Sequence, residues 1–95
     1  HIKLVASWLK RVPDVKIRIK GFTDGLGDGV KNYHLSIERA DLIKRIFAEG
    51  FGISEDRLVV QGMGEAFPDY PDDTPEHRAL NRRVTFERIT EVNHE

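Results

Sequence analysis

Cysteine does not occur in the 95 residues. Disulfides, thiolate nucleophiles and cysteine-based zinc sites are therefore excluded, although the absence does not fix the cellular compartment. Charge of one sign is lacking too: 15 Lys and Arg stand against 16 Asp and Glu, for a net charge of −1. So balanced a chain casts no long-range field toward nucleic acid or an anionic membrane, and any binding must rest on a few placed charges. No apolar run approaches the roughly 20 residues of a membrane-crossing helix, so the domain is not expected to be membrane-inserted. A signal segment is also missing, and His1 opens directly into a helical pattern; both lead to the expectation of a domain or mature fragment cut from a longer protein. His1, His34, His77 and His94 show no metal-ligand spacing and are read as surface or tail residues. No Ser-His-Asp set and no marked pair of carboxylates is legible. Neither a metal, nor a cofactor, nor catalysis is expected.

What the chain does contain is an ordinary globular composition, 33% charged and 39% hydrophobic, of a size for one domain. Leu4, Val5, Trp8, Leu9 and Val12 recur at helical spacing until Pro13 and Asp14. Val15 to Lys20 alternates β-branched residues with cations, the pattern of a strand with one face buried. A glycine-bearing loop follows, then a long helix whose apolar stripe is expected to be Leu35, Ala40, Leu42, Ile43, Ile46 and Phe47, with Asn32 or Ser36 as its cap and Gly50 or Gly52 as its end. A second strand is expected over Arg57–Gln61 and a surface loop over Gly62–Asp73. Thr74 and Pro75 begin a short helix, and Arg83–Glu87 alternates as a last strand. The domain is expected to fill residues 1–90, with 91–95 a frayed tail. This order predicts a two-layer α/β arrangement, helices on one face of a small mixed sheet.

The loop after the first strand holds the chemistry. It carries Thr23, Asp24, Asp28 and Asn32 and leads into Arg39, read as lying in the first turns of the long helix. A guanidinium beside the free N–H groups of a helix start makes a carboxylate receptor. An aspartate nearby would take an ammonium, so the two together suit a zwitterion. The alternative is a structural Asp24–Arg39 ion pair. Arg82 and Arg83 open the last strand, and by alternation one points to each face, so that one would cover the core edge while the other reaches the loop; the alternative is that both are solvated strand-end charges.

At these residues the sequence resembles the OmpA-like C-terminal domain family. Four separated motifs carry the likeness: Gly21-Phe22-Thr23-Asp24, then Asn32 through Leu35-Ser36 to Arg39-Ala40, then Arg57-Leu58 through Gly62 and Gly64-Glu65 to Pro68, and finally Asn81-Arg82-Arg83-Val84. The resemblance implies a βαβαββ-type domain whose first strand is absent from this chain. It implies non-covalent binding of peptidoglycan through meso-diaminopimelate, with Asp24 on the ammonium and Arg39 on the carboxylate of one carbon. Asn32, Thr23 and Arg82 match supporting pocket positions. Phe22 departs from the family, which has histidine there. A periplasmic domain at the outer membrane and cell wall is implied, belonging to a membrane-anchored parent (barrel, lipoprotein or motor protein), with a homo-oligomer and a monomer both left open. The rival reading keeps the fold as a protein-interaction or assembly domain without wall binding. A small hydrolase is a third reading, without a nucleophile to support it.

Overall fold

The structure is a computed structural model, and residues 1–89 are described; the tail expected at 91–95, and His94 with it, lie outside the described residues. Strand β1 (Lys16–Gly21) is the middle of a three-stranded sheet. It runs parallel to β2 (Leu58–Gly62) and antiparallel to β3 (Val84–Ile89). Alternation along β1 does what the sequence promised. Ile17 and Ile19 are buried on one face, while Arg18 and Lys20 reach the other and pair with Glu87 across on β3.

Helices α1 (Ile2–Arg11) and α2 (Gly29–Arg45) cover the apolar face. The core joins Ala6 and Leu9 of α1, Ile17 and Ile19 of β1, Ala40 of α2 and Leu58 of β2 around Phe47 and Ile53. A short helix α3 (Pro75–Asn81) stands apart from this layer and is tied to the preceding loop, its start capped by Thr74, which accepts from the His77 amide at 3.0 Å. Three helices on a small mixed sheet are thus the observed architecture.

Two expectations for α2 need correction. Its cap is Asp28, whose carboxylate accepts from the Val30 amide at 2.8 Å, not Asn32 or Ser36. Its buried stripe agrees with expectation at Ala40, Phe47 and the partly buried Ile43, and differs elsewhere. Asn32, Ser36, Ala40 and then Phe47 face the sheet, whereas Leu35, Leu42 and Ile46 are exposed. The reason is the surface beneath. A Cβ on Gly21 would stand 2.1 Å from the Ser36 carbonyl oxygen, and one on Gly62 would stand 2.7 Å from the Ser36 hydroxyl. Helix and strands meet backbone to backbone there, so only small side chains fit between them. Beyond Arg45 the helix widens into a π turn, Ile46–Gly50, and Gly52 at φ 70° turns the chain away.

Arg57 locks the two layers together at the far end. Its Nε donates to the Val15 carbonyl, and its Nη2 donates to the carbonyls of Leu9 and Val12, all at 2.9 Å. The guanidinium thereby satisfies carbonyls at the C-terminus of α1 that have no partner within the helix.

Candidate functional site

Register brings three chain ends to one level. Gly21 pairs with Gly62 in the parallel direction and with Val84 in the antiparallel one. Segment 22–24 leaves β1 here, 63–65 leaves β2, and 82–83 enters β3. The C-terminal ends of parallel strands in an open α/β sheet are where ligands usually settle, because the diverging loops leave a crevice.

The loop after β1 is closely held. Thr23 and Asn32 are buried, and their polar groups are spent on the backbone. The Thr23 amide donates to the Gly64 carbonyl at 2.8 Å and its hydroxyl to the Asp24 carbonyl at 3.0 Å. Asn32 Nδ2 donates to the Leu26 carbonyl at 2.9 Å and, more weakly, to that of Asp24 at 3.4 Å. These two side chains fix the loop that presents Asp24. Ser36 adds a further tie, accepting from the Gly64 amide at 2.9 Å.

Asp24 is the centre of the charged groups. Its side chain is only 12% exposed, with Oδ1 accepting from the Leu26 amide at 3.0 Å and Oδ2 from Arg82 Nη1 at 2.6 Å. Burial pushes its carboxyl upward, but the Arg82 and Leu26 hydrogen bonds with the charges of Arg82 and Arg78 outweigh it, and the net shift is below the usual aspartate value. Arg39 Nη1 donates to the carbonyl of Phe22, two residues before Asp24, at 2.6 Å. Glu65 and Asp72 close over the same loop: a Cβ on Gly25 would meet Asp72 Oδ2 at 2.5 Å and Glu65 Oε2 at 3.2 Å.

All five residues singled out from sequence, Thr23, Asp24, Asn32, Arg39 and Arg82, therefore come together at this one loop. Their pairing differs from expectation. Among the described residues the ion-pair partner of Asp24 is Arg82, and Arg39 bonds a carbonyl instead. Nor does Arg39 lie at a helix start. It is ten residues beyond Gly29, about three turns in, so the helix dipole that motivated its choice does not act on it. The alternation argument for Arg82 and Arg83 holds: Arg82 reaches the loop, while the Arg83 guanidinium carbon lies 3.8 Å from the centroid of the buried Phe22 ring. Phe22 thus has a cation over its face. Glu65, Asp72 and Arg78 were given no part from sequence. Only a signal for the folding of the 63–73 loop back onto Gly25 would have found them, and that folding depends on distant partners. Asn81 supplies one, accepting from the amides of Asp69 and Tyr70 and donating to the Tyr70 carbonyl.

The chain is similar to known proteins over nearly its whole length. The model of the OmpA family matches residues 1–82. Outer membrane porin F of Pseudomonas aeruginosa is 34% identical over 86 residues, which is 90% of this chain and 25% of the porin. Peptidoglycan-binding protein ArfA of Mycobacterium tuberculosis is 38% identical over 80 residues, 84% of this chain and 24% of that protein. The chain thus spans about a quarter of the length of these relatives. Among solved structures, the peptidoglycan-associated lipoprotein of Burkholderia pseudomallei superposes with a TM-score of 0.86 at 25% identity, covering 93% of this chain and 70% of that one. The C-terminal domain of Helicobacter pylori MotB gives 0.84 at 27% identity, covering 95% and 70%.

Proposed function

The chain belongs to the OmpA family, and from that premise we propose that it binds peptidoglycan without chemistry, gripping the meso-diaminopimelate of the stem peptide. The observation that carries this reading is the gathering of opposite charges around one closely held loop. Asp24, flanked by Glu65 and Asp72, offers an anionic seat for an ammonium. Arg39 is fastened two residues away and, among the described contacts, only its Nη1 is engaged. The rest of the guanidinium fork suits a carboxylate on the same carbon as that ammonium. Thr23 and Asn32 keep the loop in shape, and Arg82 holds Asp24 ionised in the free protein. The names of relatives, a peptidoglycan-binding protein and a peptidoglycan-associated lipoprotein, support the same partner. They also support a binding module rather than an enzyme, placed in the periplasm against the wall. Single-site affinity is modest, because a polar peptide buries little apolar surface, and many copies on one membrane hold through multivalency.

Sedimentation with insoluble diaminopimelate-type wall tests this. Asp24→Asn and Arg39→Ala each abolish most co-sedimentation while remaining folded, with Asp24→Asn melting somewhat lower because the charged contacts to Arg82 and the Leu26 amide are weakened. Folded mutants that still sediment would move binding elsewhere; unfolded ones would make the residues structural. A second reading, an assembly domain, draws on the exposed apolar face of α2, where Leu42 and Ile46 are 50% and 36% exposed. It predicts that wild type does not sediment with wall at all.

A further inference from the structure

In the free protein both oxygens of the Asp24 carboxylate are occupied, Oδ1 by the Leu26 amide and Oδ2 by Arg82 Nη1. Each oxygen keeps a second lone pair, but an incoming ammonium must share Oδ2 with the Arg82 guanidinium, and two cations crowded on one carboxylate repel each other. The two halves of this pair are unequal. The Asp24 side chain is 12% exposed and fixed by its loop, whereas that of Arg82 is 44% exposed. The backbone around Arg82 is pinned: its amide donates to the Arg78 carbonyl at 3.2 Å, and the carbonyl of Arg83 accepts from the Phe22 amide at 2.8 Å. Release of Asp24 is therefore a rotation of the Arg82 side chain alone.

We propose that Arg82 is an intramolecular stand-in for the ligand's ammonium, and that its displacement makes the pocket selective for an ammonium that brings its own carboxylate. This rests on the pocket reading above. A lone ammonium, as on lysine, breaks one ion pair and makes one, leaving the displaced guanidinium without an anion. Asp72 already faces Arg78 at 4.0 Å and Asp69 faces Arg83 at 3.0 Å, which leaves Glu65, over Gly25, as the competing anion for the displaced guanidinium. An ammonium and carboxylate on one carbon break the same pair but supply the displaced Arg82 with a new anion beside Arg39. Discrimination thus comes partly from the cost of opening Asp24 and not only from contacts to the ligand.

The test titrates the whole chain by calorimetry with three synthetic stem peptides carrying meso-diaminopimelate, its side-chain amide, or lysine. Wild type, Arg82→Met and Arg82→Lys are compared, with melts confirming that each is folded. Arg82→Met binds the lysine and amidated peptides about fivefold tighter than wild type does, the worth of a partly exposed ion pair. The diaminopimelate peptide changes by less than about twofold, since the pair lost and the pair forgone offset one another. Arg82→Lys restores the wild-type ranking. Weaker diaminopimelate binding by Arg82→Met, with lysine binding unchanged, would overturn the proposal by making Arg82 an ordinary contact to the carboxylate. Equal weakening of all three would overturn it by making Arg82 a support of the loop. Wild type failing to bind any of the three would bring down the pocket reading itself, and the exchange with it.

Discussion

Gly21→Ala should damage fold and binding together, because the contact it breaks is the one that sets α2 on the sheet. A Cβ at Gly21 would stand 2.1 Å from the Ser36 carbonyl oxygen, 3.1 Å from its carbonyl carbon and 3.2 Å from the Ala40 amide nitrogen. All three are backbone atoms, so no rotamer change relieves the clash. Restoring ordinary contact distance requires the helix to move by roughly 1 Å, and close-packed interiors resist such shifts. Overpacking of this kind costs about 1–3 kcal/mol, and rigid backbone on both sides places Gly21 at the upper end, about 3 kcal/mol. For a domain of this size that lowers Tm by roughly 10–20 °C. The same movement carries Arg39 away from Phe22, since Arg39 and Ser36 ride on one helix. Differential scanning calorimetry and wall sedimentation on one preparation read both effects. A Gly21→Ala protein that melts within about 2 °C of wild type and binds wall normally would refute the backbone-contact argument.

Arg57→Ala strips three carbonyls of a charged donor and should cost roughly 2–3 kcal/mol in a urea melt, with Arg57→Lys recovering little because an ammonium cannot reproduce the fork. Asn81→Ala should leave the sheet folded but loosen the 63–73 loop, raising hydrogen exchange at the Asp69 and Tyr70 amides that it now holds. Acid should act through Asp24 late. Its carboxyl titrates below the ordinary 3.8, so its charge, and the stability it lends, is fully present above that value and is lost only as pH falls through the depressed one. Wall binding measured from neutral pH downward should therefore survive to about pH 3.8, and loss near pH 5 would contradict the assignment.

Periodicity made most of the fold legible. The strict alternation in Val15–Lys20 announced a half-buried strand, and Thr74-Pro75 announced a helix start; both stand, with β1 shifted one residue to Lys16–Gly21. The face of α2 was misread because hydrophobic identity is not the same as packing. Leu35, Leu42 and Ile46 looked like core, yet the glycines at the ends of β1 and β2 leave room only for Ser36 and Ala40. That Thr23, Asp24, Asn32, Arg39 and Arg82 lie close together was legible from motif positions, and their pairing was not. Asp24 and Arg82 meet across 58 residues of sequence, and which of two arginines reaches a carboxylate is decided by loop closure. Nothing local in the sequence records that choice.

The central claim is that Asp24 on the loop and Arg39 on α2 together read a zwitterionic carbon, and a paired titration tests it most directly. Wild type is titrated with stem peptides that differ only in carrying meso-diaminopimelate or lysine. The account predicts at least tenfold weaker binding of the lysine peptide, because Arg39 loses a charged partner worth about 1.5–3 kcal/mol. Equal affinity for the two peptides would contradict it.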